Sequence, residues 1–184
     1  MSRPLRADAR ANHDRLLEVA ATAFAREGTG ASLKAIAREA GVGIGTLYRR
    51  FPTREHLVEA VYRNEVGRLC AAAPDLLATQ PPVDALTTWM ERFVDFMAAK
   101  RGMADVLRAV LLSDEDRLHT RDLLRTAIAA LLDAGVAAGA VRPGVDPNDV
   151  LMGLGGITLI AGAERERDLA TRLIGLLLHG VVGQ

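Results

Sequence analysis

The chain has 184 residues, of which 49 % are apolar, 25 % charged and only 4 % aromatic, and its formal net charge is zero. That length allows one large or two small domains, and that balance supports a sizeable core and excludes global disorder. A single cysteine, Cys70, excludes an intrachain disulfide and any multi-cysteine metal site, and fits a reducing cytoplasm.

Neutrality conceals an asymmetry. Up to Arg68 there are 12 Lys or Arg against 8 Asp or Glu, and beyond it 11 against 15. A basic front and an acidic rear fit a polyanion-binding head on a neutral-to-acidic body. The N-terminal SRPLRADARANHDR is polar and Arg-rich without an apolar centre, so it does not read as a signal peptide. Residues 1–10 read as a basic, flexible arm. The longest uncharged apolar-rich run, about residues 150–163, is too short to cross about 30 Å of hydrocarbon as a helix, so no membrane partner is expected.

In chain order, a helix is predicted from about Ala11 to Glu27, with Leu16 or Leu17, Ala20 and Phe24 facing inward and Gly28 ending it. The next stretch, SLKAIAREAGVGIGTLYRRFPTREHL from Ser32 to Leu57, organises the chain. Leu33, Ile36, Ala37 and Ala40 fall at i, i+3, i+4 and i+7, one apolar helix face. Ser32 stands at the N-cap, although Ala35 cannot complete a capping box, and Gly41 supplies a left-handed stop. A second helix starts at Gly43 or Ile44 and runs to Phe51, with Leu47 and Phe51 inward and Gly45, Thr46, Arg49 and Arg50 outward. Two short helices around a Gly-bearing turn make a helix-turn-helix. The outer face of the second can enter the major groove. Arg49 or Arg50 can pair bidentately with guanine, Thr46 can bond a base or a phosphate, Ile44 can lie on a thymine methyl, and Gly45 permits close approach.

After Pro52, Thr53 can cap a linking helix whose inward stripe is Leu57, Val58, Val61 and Tyr62. This helix is expected to end near Ala72, with Pro74, Pro81 and Pro82 marking the loop into the body. Five more helices follow, at about 83–100, about Met103 to Leu111, about 114–138, about 147–162 and about 164–181, with Asp146 and Pro147 opening the fourth of them. The domain boundary is placed near residue 62, giving a head over 1–62 and a body over 63–184. The fourth of these carries Gly153, Gly155, Gly156 and Gly162, which weaken a helix but let another approach closely. The last becomes apolar nearly all round and needs cover on two sides, its own body and a second copy of the chain.

Residues 16–61 closely resemble the N-terminal domain of TetR-type (tetracycline-repressor-like) transcriptional regulators. The resembling pieces are LLEVAATAFAREG at 16–28, SLKAIAREAGV at 32–42 and GTLYRRFPTREHLVEAV at 45–61. They cover about a quarter of the chain, with the Gly-Thr-Leu-Tyr turn and helix, the aromatic-Pro stop and the basic residue two beyond it all in register. The resemblance implies an all-α fold: a three-helix, helix-turn-helix DNA-binding domain followed by a helical ligand-binding and dimerisation domain. With the outer-face residues named above, it gives an expected DNA interface of Ser32, Lys34, Gly43, Ile44, Gly45, Thr46, Tyr48, Arg49, Arg50 and Arg54. There, Tyr48 and Arg54 would hold phosphates, with Ser32 and Lys34 aimed at the backbone. Ile44 and Arg50 depart from the family's usual polar or basic residue and histidine.

It also implies an effector pocket, for which the aromatic and Met stripe offers Trp89, Met90, Phe93, Phe96 and Met97, with Met103, Leu107, Leu111 and Met152 completing the wall. Taken one by one, these residues read first as helix core. A symmetric four-helix dimer interface, the family's usual one, would use Gly153, Gly156, Ile160, Leu169, Leu173, Leu177 and Val181.

The expected function is therefore a cytoplasmic, homodimeric repressor, released from a palindromic DNA operator by a small apolar effector. A DNA-binding regulator without an effector is the first alternative, and a helical carrier or enzyme the second. No enzyme activity, cofactor or metal is expected. The four histidines are scattered, Asp114-Glu115-Asp116 reads as a helix start, and the GVGIG of 41–45 lacks the lysine and preceding strand of a phosphate loop.

Overall fold

The computed structural model describes the backbone of residues 3–110, 114–161 and 167–183, and the side chains of 11–108, 115–161 and 167–183. Among these residues the elements are α1 (Arg3–Glu27), a 3-10 turn (Gly28–Gly30), α2 (Leu33–Glu39), α3 (Ile44–Arg50), α4 (Arg54–Thr79), α5 (Pro82–Gly102), α6 (Ala104–Val110), α7 (Asp114–Ala137), α8 (Pro147–Ile160) and α9 (Arg167–Val181). The class is all-α. The described residues form no strand, only an isolated antiparallel bridge between Val141 and Val182.

The chain divides into two compact units, Met1–Glu65 with Ala99–Ser113, and Val66–Ala98 with Asp114–Gln184. In this division α4 changes unit after Glu65, and Ala99–Ser113, read from the sequence as body, belongs to the first unit. Gly102 is one reason it can. A Cβ built there would lie 2.0 Å from the carbonyl oxygen of Phe24. Only glycine lets the end of α5 lie against α1 at that distance. Nearby, the Lys100 ammonium stands 5.7 Å above the centre of the Tyr62 ring, a cation–π contact.

Within the first unit α1 packs on α2 and α2 on α3. The core is the one the spacing predicts: Leu16, Leu17, Ala20 and Phe24 from α1, Ile36 and Ala37 from α2, Leu47 from α3, and Leu57, Val58 and Val61 from α4 are all buried. Leu16 and Leu17, alternatives on paper, are both inside. The Ser32 hydroxyl accepts from the Ala35 N–H at 3.3 Å and so caps α2. Gly41 takes a φ of +72°, the left-handed turn that a side chain would resist. Thr53 Oγ1 accepts from the His56 N–H at 3.4 Å at the start of α4.

Two boundaries differ from the sequence reading. α1 begins at Arg3 instead of near Ala11. Ala, Leu and Arg in this stretch are good helix formers, and Pro4 sits in the first turn, where no N–H is needed. α4 does not stop near Ala72 but continues through Pro74 to Thr79. Leu69, Ala73 and Leu76 are buried at helical spacing on both sides of the proline. Their packing offsets the roughly 3 kcal/mol that an interior proline costs.

In the second unit α7 packs on α8 and α8 on α9. Trp89 and Met90 are fully buried, and the Trp89 indole N–H donates to the Leu69 carbonyl at 2.8 Å. Phe93 stacks on Trp89 at 5.9 Å between ring centres and tilts against Phe96 at 6.1 Å. Asp146 caps α8 by accepting from the Asn148 N–H at 2.7 Å, with Pro147 in the first turn.

Candidate nucleic-acid interface

Local chemistry decides how α3 is presented. Leu47 is fully buried and Phe51 nearly so, and these two anchors pin one side of a seven-residue helix. The remaining positions have to point outward. Gly45, Thr46, Arg49 and Arg50 are exposed, as are Ile44 and Tyr48. Gly43 caps the helix from an extended conformation without a side-chain bond, leaving the first N–H groups of α3 uncovered by a cap side chain. Two shallow depressions flank α3. One, of about 640 Å³, is lined by Ser32, Lys34, Arg38 and Ile44 among others. The second, of about 420 Å³, is lined by Asn12, Leu16, Val42, Thr46, Arg49 and Arg50. Lys34, Arg38, Arg49 and Arg50 therefore surround an exposed helix with positive charge, the pattern a phosphate backbone attracts.

Arg54, for which resemblance implies a phosphate clamp, also has bonding partners within the chain. It is half-buried, and its Nη1 donates to the carbonyls of Thr29 and of Ala31, the latter at 2.7 Å. These bonds tie the start of α4 to the turn before α2, and so hold Ser32 and Lys34 in place. His13, one of the scattered histidines, proves to back the interface. Its ring stacks on Phe51 at 5.9 Å, and its Nδ1 is buried without a hydrogen-bond partner. Burial, then the charge of Arg50, lowers its pKa below 6.5, against a smaller opposing effect of Asp14. Residue spacing gave no signal for this contact, because it joins α1 to the residue after α3.

The residues read as an effector wall are distributed differently from the expectation. Trp89, Met90, Phe93 and Phe96 are buried and Met97 half-buried in the second unit, while Met103 and Leu107 are buried residues of the first. Leu111 lies outside the described residues. Met152 is 55 % exposed, with its Sδ 3.3 Å from the Arg121 guanidinium, and so walls no buried cavity.

The residues expected at a dimer interface divide between buried and exposed positions. On α8, Val150, Leu151, Leu154 and Ile157 are buried, while Met152, Leu159 and Ile160 are exposed on the other face. Cβ atoms built on Gly155 and Gly156 would meet nothing within 4 Å. On α9, Ala170, Ile174 and Val181 are buried, Leu169 and Leu173 half-buried, and Leu176 is 68 % exposed. Val181 therefore faces inward, and its carbonyl accepts from the Arg142 N–H at 3.0 Å. Gly153 and Leu177 face each other within the chain, Leu177 Cδ1 lying 3.4 Å from where a Gly153 Cβ would be. Leu159 and Leu176, exposed on α8 and α9, are not among the residues that the sequence suggests for a dimer interface. The spacing Met152, Gly155, Gly156, Leu159 marks that face, once the buried stripe is known.

Among the described residues no group of three or more His, Cys, Asp or Glu could hold a metal ion, and no helix is long and apolar enough to cross a membrane. Cys70 is half-buried, and burial pushes its thiol up, away from the reactive thiolate.

Residues 16–61 match the family described as bacterial regulatory proteins, tetR family, and residues 81–182 match the SbtR-like transcriptional regulator C-terminal domain. The fold superposes on the crystal structure of the TetR transcriptional regulator SCO0520 from Streptomyces coelicolor with a TM-score of 0.87. That protein is 48 % identical, with 93 % of this chain and 98 % of that one covered. The chain is 34 % identical to the HTH-type transcriptional repressor KstR2 of Mycolicibacterium smegmatis, over 72 % of this chain and 69 % of that protein. It is 28 % identical to the HTH-type transcriptional regulatory protein RaaS of Mycobacterium tuberculosis over 73 % of its own length, and spans only 62 % of RaaS.

Proposed function

The chain belongs to the tetR family of bacterial regulatory proteins, and from that premise we propose that it is a homodimeric repressor that binds a palindromic operator and is released by a small apolar effector. The observation that carries the reading is the exposed, cation-flanked outer face of α3, held by Leu47 and Phe51. Ser32, Lys34 and Tyr48 engage phosphates, which sets register, and Ile44, Thr46, Arg49 and Arg50 meet base edges. Gly43 and Gly45 keep the approach clear. Two such helices about one helical turn apart read the two half-sites.

The second copy is supported by Met152, Leu159, Ile160 and Leu176, large apolar side chains left exposed on α8 and α9. A two-fold pairing of these helices covers them, with Gly156 allowing close approach and Leu169 and Leu173 at the margin. An effector acts only by binding one arrangement of the dimer more tightly than the other. In this reading the chain turns over no substrate, needs no cofactor and works in the cytoplasm.

The test is fluorescence anisotropy with labelled duplexes from the DNA flanking the chain's own gene. Saturable binding to one inverted repeat, weakening steeply with salt, supports the proposal; equal affinity for any duplex, or none at low salt, ends it. One observation favours an effector-independent regulator as a second reading: Trp89 is fully buried, with its N–H already bonded to Leu69. A thermal-shift screen of apolar compounds separates the two. A ligand that raises the Tm and lowers operator affinity selects the first.

A further inference from the structure

Among the described residues of the first unit the exposed large apolar side chains are Ile44, at 38 %, and Tyr48, at 49 %, and both stand on α3. Tyr48 carries a hydroxyl that can bond a phosphate oxygen, so its exposure has a polar use. Ile44 carries no polar group. It is the first residue of α3, and it shares a depression with Lys34 and Arg38, whose charges suit the phosphates on either side of a groove. Its neighbours leave it uncovered: Gly43 and Gly45 have no side chains, and a Cβ built on Gly45 would meet nothing within 4 Å. Branching at Cβ also restricts the isoleucine to few rotamers, so it presents a stiff apolar surface.

The major groove of B-DNA displays donors and acceptors on every base pair and one apolar group, the 5-methyl of thymine. An isoleucine pushed against any other base edge would strip water from a polar group without replacing its hydrogen bond. We propose that Ile44 is the residue that reads thymine in each operator half-site, by burying the 5-methyl group against its side chain. This rests on the DNA-binding reading and deepens it by naming the base and the atom recognised. Arg49 and Arg50 then discriminate at neighbouring positions by hydrogen bonding, while Ile44 discriminates by shape and desolvation.

The experiment begins with duplexes selected by the full chain from a random-sequence library. Each thymine of the selected consensus is then replaced, one position at a time in both half-sites, by 2′-deoxyuridine, which lacks only the methyl group. One position is expected to weaken binding about fourfold per half-site, the factor that corresponds to burying one methyl-sized group. Ile44→Ala is expected to bind the thymine and deoxyuridine duplexes at that position equally, with unchanged helix content by circular dichroism. Ile44→Val is expected to retain part of the difference. Selected duplexes with no methyl-sensitive thymine overturn this inference alone and leave DNA binding standing, as does Ile44→Ala with undiminished methyl sensitivity. A chain that enriches no duplex overturns both readings.

Discussion

Leu176→Asp gives a direct measure of the proposed dimer. Leu176 is 68 % exposed in the single chain. Burying a whole leucine side chain stabilises by about 1.5–3 kcal/mol, so covering the exposed two-thirds contributes about 1–2 kcal/mol. Two-fold symmetry uses the position twice, which makes the loss about 2–4 kcal/mol per dimer. At about 1.4 kcal/mol per tenfold, the dissociation constant rises between about 30-fold and several hundred-fold. Burying the new carboxylates adds to this. Sedimentation velocity at low micromolar concentration is the assay. The wild type should run as a pair of 19.7 kDa protomers and the variant as single ones, with helix content unchanged. Leu177→Asp is the control. That side chain faces Gly153 within the chain, so its replacement should lower the Tm of the protomer itself. A Leu176→Asp variant that sediments as the wild type does, or a monomeric wild type, refutes the argument.

Lys34→Ala should flatten the slope of log K against log salt by about 1.8, since each phosphate contact contributes about 0.9 and a dimer loses two. Arg54→Ala should leave that slope unchanged but lower stability by about 1–3 kcal/mol in chemical denaturation, because its bonds go to the Thr29 and Ala31 carbonyls; a flattened slope would return Arg54 to the phosphate-binding set. The depressed pKa of His13 means that the unfolded chain takes up its proton first. Its contribution to stability is therefore intact above pH 6.5 and declines as the pH falls through the lowered value. His13→Phe, which keeps a ring on Phe51, should reduce the loss of stability between about pH 7 and 5 measured by urea titration; an identical pH profile would show that His13 is not responsible. Gly102→Ala should cost about 3 kcal/mol or more by driving a methyl into the Phe24 carbonyl, and lower the Tm by about 6–12 °C in a calorimetric scan; an unchanged Tm would mean that α5 can shift away without loss.

Periodicity alone was enough for the helix-turn-helix. Leu33, Ile36 and Ala37 can share one face only in a helix, Ser32 and Gly41 bracket it, and Leu47 with Phe51 leaves one outer side to α3. Each of these facts is local, resting on residues a few positions apart, so the order of side chains along the chain carries them. Contacts between distant segments are not written that way. Tertiary packing carries α4 through Pro74, because buried residues on both sides outweigh a local preference to stop. It engages Arg54 with Thr29 and Ala31, brings His13 onto Phe51, and turns Val181 inward while Leu176 stays out. An apolar helix such as α9 shows in its sequence how much surface must be covered. Which side its own chain covers, and which remains for a second copy, depends on where α8 comes to lie.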